Sequence, residues 1–144
     1  MTYSVQDVAN KTGLTTYTIR YYHDHGLLPF VKRDANNNRV FDDVDLEWVD
    51  LITCLRSTGM PLNDIKQYFD LVIAGESTIQ ERYEIMLAQQ QRTLKEISDL
   101  QTHLTTINHK VSHYADVLIN HKTDDYEPSN IQETEATDNN RTSA

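Results

Sequence analysis

The sequence predicts a mostly α-helical protein with a winged helix-turn-helix head and a long coiled-coil helix after it. Three observations support this fold class: two short amphipathic segments joined by a tight turn, a polar turn between apolar residues at positions 30–41, and a run without glycine or proline over positions 78–127. The first two are typical of a helix-turn-helix with a β-hairpin wing, and the third is typical of a helix that needs a partner.

The helix-turn-helix is predicted from its caps. Ser4 is a suitable N-cap for the first helix because Asp7 follows three residues later, and this helix should end at Thr12-Gly13. Thr15 can cap the second helix, which should stop at Gly26. The few residues between the two helices match the short turn of a helix-turn-helix.

The second helix has an apolar side and a polar side. Ile19 and Tyr22 lie one turn apart, so they should face the first helix and belong to the core. The outward side is then polar, aromatic and partly basic. Its residues are Tyr17, Arg20, Tyr21 and Asp24.

A β-hairpin wing is predicted after the second helix. Asp34–Asn38 should form its turn, because Asn and Asp tolerate the left-handed backbone that tight turns require. Phe30–Lys32 and Arg39–Phe41 flank this turn and are the predicted arms of the hairpin.

Two more helices should complete the head. Asp42 or Asp43 can cap a third helix that runs to about Ser57, and Gly59-Met60-Pro61 separates it from a fourth helix that ends at Gly75. Apolar residues recur on one side of the third helix, which is predicted to pack in the core. That side comprises Val44, Trp48, Leu51, Ile52 and Leu55.

A long helix is predicted from Thr78 to about Asn120, because Thr78 and Glu81 have the spacing of a capping box and no helix breaker follows. Its apolar residues have a heptad rhythm, which predicts a two-stranded coiled coil, parallel or antiparallel, and so a homodimer. The seam comprises Leu87, Leu94, Ile97, Leu104, Val111 and Leu118, with the polar residues Gln90, Gln101 and Asn108.

These elements predict a head at residues 1–75, a dimerisation helix at residues 76–121 and a disordered acidic tail at residues 122–144. The formal net charge is -9, but six acidic residues and one basic residue fall in the last 21 positions. The head can therefore still present a local basic surface. Its candidate cations are Arg20, Lys32, Arg33 and Arg39.

Composition argues against several classes of protein. No apolar stretch approaches the roughly 20 residues that span a bilayer, and the N-terminus lacks a basic and hydrophobic targeting segment, so a cytoplasmic protein without membrane contact is expected. Cys54 is the one cysteine and cannot form an internal disulfide. Because neither a histidine nor a glycine-rich oxyanion loop stands at a recognisable position for Cys54 in the head, neither an enzyme nor a cofactor is expected.

Three separated motifs occur in order: TIRYYHDHGLLP, NRVF and DLEWVDLITCLRSTGMPLNDIKQY. Together with the long helix they resemble the MerR family of transcriptional regulators over about residues 3–120. The resemblance implies a homodimer in which an antiparallel coiled coil holds two winged heads at successive major grooves of double-stranded promoter DNA. It also implies that the dimer distorts an overlong promoter spacer so that RNA polymerase can engage it.

The resemblance also assigns DNA-binding roles. Arg20 and Tyr21 match the arginine and tyrosine of the family's recognition helix, which contact phosphate or guanine. Arg39 matches the wing arginine, which is expected to clamp the DNA backbone. Asn37-Asn38 stands where a Gly-Tyr pair is common in the family. The expected DNA-binding set is Thr16, Tyr17, Thr18, Arg20, Tyr21, Lys32, Arg33 and Arg39.

Cys54 is the candidate sensor. A helical projection places it on the polar side of the third helix, which favours an accessible thiol. The chain is similar to a short branch of the family that responds to aldehydes, other electrophiles or nitric oxide, and the similarity implies that modification of Cys54 changes the angle between head and coil. Acidic neighbours disfavour the thiolate, so a cation from the partner chain is expected to activate it. The candidates are His109, Lys110 and His113.

Two alternatives stay open from the sequence. Cys54 could be purely structural in a regulator that uses another signal, or the protein could be a coiled-coil interaction module whose head does not bind DNA. His109 and His113 have the i, i+4 spacing of metal ligands, but no thiolate or carboxylate ligand stands beside them, so no metal site is predicted.

Overall fold

The computed structural model describes residues 1–124, and over that range the chain is mostly helical, as predicted. The predicted acidic tail lies outside the described residues from position 125 onward. The helices are α1 (Val5–Thr12), α2 (Thr16–Asp24), α3 (Asp43–Ser57), α4 (Leu62–Ala74) and α5 (Ile79–Asn120), and the strands are β1 (Thr2–Tyr3), β2 (Lys32–Arg33) and β3 (Arg39–Asp42).

The caps of the helix-turn-helix are confirmed. The Asp7 backbone N–H donates to the Ser4 hydroxyl oxygen at 3.1 Å, and the Ser4 backbone N–H donates to the Asp7 carboxylate at 3.0 Å. Gly13 ends α1 with a φ of 74°, a left-handed conformation that suits glycine. The Thr15 hydroxyl then accepts from the Thr18 backbone N–H at 3.1 Å and starts α2.

The wing is part of a three-stranded antiparallel sheet with the order β1-β3-β2. The hairpin is confirmed, but its arms are β2 and β3, so Phe30 lies outside the strand predicted for it. Strand β1 was not predicted. It pairs through Tyr3 with Phe41, and a two-residue strand carries no alternation of apolar and polar residues from which it could be recognised.

The turn of the wing has the chemistry that its sequence predicts. The Asp34 carboxylate accepts the backbone N–H groups of Asn36 and Asn38, each at 2.9 Å. Asn37 has a φ of 63°, so an asparagine takes the left-handed position for which glycine is the usual residue. The hairpin therefore keeps its tight turn without a glycine.

The core lies among α1 to α4 and β3, and one part of its prediction was wrong. On α3 the buried apolar residues are Val49, Ile52 and Leu55, whereas Val44 is 53% exposed and Leu51 is 36% exposed. Asp45 is also buried, at 4% exposure, so the buried side of α3 includes Asp45 and not Val44. The core cluster comprises Val8, Ala9, Ile19, Tyr22, Leu27, Leu28, Phe41, Val49, Ile52, Leu55, Met60, Ile65 and Phe69.

Acidic residues at the start of α3 have structural partners. Asp42 and Asp45 form a reciprocal capping box, in which each carboxylate accepts the other residue's backbone N–H at 2.9 Å. The bond from the Asp45 N–H lowers the pKa of Asp42, whereas burial raises the pKa of Asp45. The Tyr3 hydroxyl donates to Asp43 at 2.8 Å and ties β1 to this helix.

The predicted capping box at the start of α5 is wrong. A short 3₁₀ turn, Glu76–Thr78, precedes α5, and the Thr78 hydroxyl lies 2.6 Å from the Leu71 carbonyl oxygen and 2.7 Å from that of Gly75. Thr78 therefore secures the end of α4 and does not bond with Glu81. The same hydroxyl accepts from Arg82 at 3.1 Å.

The described chain divides into two compact units, Met1–Gln90 and a second unit that begins at Gln91. The first contains β1 to β3, α1 to α4 and the first part of α5, and the second contains the rest of α5. Within residues 1–124, no helix combines the length and the apolar character needed to cross a bilayer.

Candidate nucleic-acid interface

The outer face of α2 presents one cation and one aromatic ring to solvent. Arg20 is exposed, and its closest recorded partner is the Thr16 hydroxyl, 3.4 Å from a guanidinium nitrogen. Tyr17, one turn away, is 74% exposed. Thr18 is half-buried, and its hydroxyl lies 2.9 Å from that of Thr15. The Arg20 guanidinium is therefore held loosely along its own helix.

Tyr21 lies less far outward than predicted. It is half-buried, packs against the core cluster and stands between one ring of α2 and one just after this helix. Its ring centroid is 6.5 Å from that of Tyr17 and 3.8 Å from that of His25. The stack is stabilised at its far end, where the His25 Nδ1 lies 2.8 Å from the Tyr21 carbonyl oxygen. Tyr21 is thus held between its neighbouring rings and is not a freely exposed side chain.

Arg39 joins the wing to α2. Its Nε donates to His23 Nδ1 at 2.8 Å, and a terminal nitrogen donates to Asp24 at 2.7 Å. Only 14% of the Arg39 side chain is exposed. The sequence did not single out His23, since residues so far apart in the chain meet only after the hairpin has folded. In this arrangement Arg39 holds two elements of the interface together.

Lys32 and Arg33 extend the basic character of the wing. Both are exposed in β2, and Arg33 donates to the Asn37 carbonyl oxygen at 2.9 Å, across the hairpin turn. This bond orients the Arg33 guanidinium along the tip of the wing.

A groove of about 570 Å³ lies between the wing and the N-terminal turn of α1. Arg20 reaches it from α2, and Arg33 and Arg39 reach it from the wing. Asp7 and Asp34 also line the groove, but their carboxylates accept backbone N–H groups of the helix cap and the hairpin turn. Because a guanidinium can bind two phosphate oxygens at once, this groove is suited to a nucleic-acid backbone.

The link between Arg39 and His23 predicts a dependence of stability on pH. Burial, then Arg39 and Arg33, lower the pKa of His23 from 6.5, while Asp24 acts in the opposite direction. The folded protein therefore binds fewer protons than the unfolded chain between that lowered pKa and 6.5. The free energy of unfolding should fall as the pH drops through this window, since Nδ1 must be unprotonated to accept from Arg39.

Urea denaturation between pH 7.5 and 5.5 measures this effect, and the relevant quantity is the loss of unfolding free energy on acidification. The unfolding free energy of a His23→Gln variant should fall less on acidification than that of the wild type. His103 is an exposed histidine of α5, so His103→Gln should show the same fall as the wild type. Equal slopes for His23→Gln and the wild type would contradict the assignment.

Cys54 is exposed, as predicted. Its carbonyl oxygen accepts from the Thr58 backbone N–H at 3.2 Å and from the Thr58 hydroxyl at 3.3 Å, at the end of α3. The thiol thus stands on solvated surface, one helical turn before the corner between α3 and α4.

The residues predicted to activate the thiol lie in the second unit. His113 Nε2 is 3.0 Å from Asp124, and the Lys110 ammonium lies 5.8 Å from the centre of the Tyr114 ring. His109 is half-buried in the same stretch of α5. Over residues 1–124, no group of three histidine, cysteine or acidic side chains is placed to hold a metal ion.

Two family models match this chain. One, described as MerR HTH family regulatory protein, matches residues 3–71, and the other, described as MerR, DNA binding, matches residues 46–110. An uncharacterized HTH-type transcriptional regulator of Haemophilus influenzae is 40% identical over 114 residues, which cover 79% of this chain and 84% of that protein. The HTH-type transcriptional regulator AdhR of Bacillus subtilis is 34% identical over 92 residues, which cover 64% of this chain and 66% of that protein.

Two solved structures are also similar. The crystal structure of HiNmlR, described as a MerR family regulator lacking the sensor domain and bound to promoter DNA, has 39% identity and a TM-score of 0.77, and the match covers 83% of this chain and 94% of that one. A MerR family transcriptional regulator from Bacillus thuringiensis has 38% identity and a TM-score of 0.71, and the match covers 78% of this chain and 98% of that one. The similarity therefore includes more than the helix-turn-helix.

Proposed function

The chain belongs to the MerR family of helix-turn-helix regulators, and from this membership we propose that it acts as a homodimer that distorts promoter DNA under the control of Cys54. It is a DNA-binding transcriptional regulator, in a family that is not enzymatic. The observation that carries the proposal is the groove where Arg20, Arg33 and Arg39 come together beside the recognition helix. This concentration of cations gives an acidic chain one local surface for phosphates.

Roles within this interface follow from the contacts. Arg20 reads base edges or binds phosphate, because its guanidinium is exposed and loosely held. Lys32 and Arg33 contact the backbone from the wing, and Thr16, Tyr17 and Thr18 border Arg20 on α2. The Tyr21 hydroxyl donates a hydrogen bond to a phosphate, from a side chain that is half-buried. Arg39 acts mainly by holding the wing against His23 and Asp24, with any phosphate contact secondary.

The exposed apolar row along α5 supports a homodimer. Leu94, Leu104 and Val111 are 53%, 53% and 62% exposed, at positions where the heptad pattern requires a seam. A second copy of α5, running antiparallel, would bury this row and hold two heads on one DNA duplex. The similarity to a regulator bound to promoter DNA supports promoter DNA as the ligand of the two heads. RNA polymerase would then act on the distorted promoter.

The test begins with the DNA itself. Genomic fragments captured by the purified protein are sequenced, and the enriched site is used for binding at increasing salt and for permanganate footprinting. A steep loss of affinity with salt and unstacked thymines within the site are expected, because phosphate contacts release counterions and distortion exposes bases. A flat salt response, or a footprint without reactive thymines, would reject the proposal.

Control by Cys54 is the finer part of the proposal. The thiol is exposed and belongs to the turn that contains Thr58, so a reagent can reach it and an added group would press on the end of α3. With an aldehyde, the thiolate attacks the carbonyl carbon, a C–S bond forms, and the resulting alkoxide takes a proton from water. His109, Lys110 or His113 of the partner subunit would favour the thiolate.

A Cys54→Ser variant separates a sensor from a structural thiol. We expect aldehyde-dependent promoter output to fall to about the uninduced level in the variant, while operator affinity without aldehyde stays within about threefold, because an exposed substitution changes stability little. In vitro transcription with and without aldehyde measures this, and mass spectrometry measures addition to the thiol. Full induction of the variant would reject the sensor role and favour a structural Cys54.

A further inference from the structure

Gln89 is buried where an apolar residue would be expected. It is 5% exposed, and it is the one buried side chain of α5 within the described chain. Burying an amide is unfavourable unless it is hydrogen-bonded, and the net gain from such bonds is modest. A leucine at this position would stabilise the fold equally well. The amide therefore indicates a requirement for the position of α5 on the head rather than for stability.

The bonds of Gln89 are directed at one corner of the head. Its Nε2 donates to the Thr58 carbonyl oxygen at 3.0 Å and to the Thr58 hydroxyl at 3.0 Å, which uses both amide hydrogens. The Thr58 hydroxyl in turn donates to the Leu55 carbonyl oxygen at 3.0 Å. Because the last carbonyls of a helix lack partners within the helix, Gln89 completes the end of α3.

The neighbouring contacts explain why these bonds matter. Ile85 and Met86, one turn earlier on α5, pack against the core cluster, and Arg82 donates to the Gly75 carbonyl oxygen at 3.2 Å. Apolar contacts tolerate sliding, and methionine adapts readily to a changed surface. Directional hydrogen bonds at both ends of this face, at Arg82 and at Gln89, fix the register and direction of the first part of α5 on the head.

We propose that Gln89 is a positioning residue, whose bonds to Thr58 set the direction in which α5 leaves the DNA-reading head and thereby the distortion of bound DNA. The last residue of the first unit is Gln90, so Gln89 stands in the final turn of α5 that packs on the head. This inference rests on the proposed function, because distortion requires two heads held by their α5 helices.

The inference also gives Cys54 a route of action. Thr58 bonds with the Cys54 carbonyl oxygen on one side and with Gln89 on the other. A group added near the end of α3 would therefore disturb the bonds that orient α5. Gln89 needs no contact with the thiol for this coupling.

The test compares binding with distortion in the full-length dimer. Gln89→Leu keeps the buried volume and removes the bonds, Thr58→Val removes the hydroxyl acceptor from the other side, and Gln91→Leu is the matched control at an exposed residue outside the seam. On the captured operator, Gln89→Leu should bind within about threefold of the wild type but give at least about tenfold less permanganate reactivity and transcription. Thr58→Val should show a smaller loss in the same direction, and Gln91→Leu should match the wild type.

Three outcomes decide the matter. Wild-type distortion and transcription in Gln89→Leu would overturn this inference and leave the proposed function intact. A loss of affinity as large as the loss of transcription would show that Gln89 serves the folding of the head, and would overturn it as well. A wild-type protein that binds without distorting DNA would overturn the proposed function together with this inference.

Discussion

A Leu104→Glu variant is expected to be monomeric and to lose operator binding. Leu104 is 53% exposed in the single chain, at the centre of the apolar row of α5, so a partner helix would bury it. Losing a buried leucine costs about 2–5 kcal/mol, and a homodimer loses it twice. The buried carboxylate adds a further penalty, and the dimer dissociation constant should rise by more than about a thousandfold.

Analytical ultracentrifugation measures the mass, and fluorescence anisotropy with the captured operator measures binding. Thr102→Glu is the matched control: it adds the same charge two residues away, about 200° around the helix and off the seam. This control should remain dimeric and bind DNA. A dimeric Leu104→Glu protein would show that the apolar row is not the dimer interface, and a monomer with wild-type operator affinity would show that dimerisation is not needed for binding.

The elements that the sequence predicted well depend on local signals. Ser4 with Asp7 caps α1 through residues three positions apart, so the pattern is visible without the fold. Asp42 caps α3 and was one of the two caps predicted for it. The run without glycine or proline that predicts the long α5 and the Asp34 turn are also local signals. Thr78 shows the limit of this reasoning, because its hydroxyl bonds backwards to Leu71 rather than forwards along α5.

The features that the sequence missed depend on contacts between distant positions. Strand β1 exists because Tyr3 meets Phe41, and neither residue carries a pattern that predicts the other. His23 and Gln89 likewise become meaningful only when Arg39 and Thr58 are placed beside them. In the candidate interface, residue types alone identified the cations. Only the fold shows that Arg20 is loosely held whereas Arg39 is bound within the head.

This difference between the two arginines leads to the prediction for Arg20. An Arg20→Ala variant should weaken operator binding by about 1–3 kcal/mol for each lost contact, or about 5- to 150-fold, because the guanidinium reads base edges or binds phosphate. The fold should be unaffected, since the side chain is exposed and its closest recorded bond, to Thr16, is 3.4 Å long.

Binding at several salt concentrations distinguishes the two contact types. Loss of a phosphate contact should weaken binding to all sequences and reduce the slope of log affinity against log salt by about one for each contact, whereas loss of a base contact should relax sequence preference at a set position.

Lys95→Ala is the matched control, because it removes a positive charge that pairs with Asp99 on α5 at 3.1 Å, outside the head. Lys95→Ala should change affinity less than about twofold, because a surface charge that makes no contact with the DNA contributes little through solvent. If Arg20→Ala kept the affinity, the salt slope and the sequence preference of the wild type, α2 would not be the helix that reads DNA, and the groove between α1 and the wing would have to bind the duplex without it.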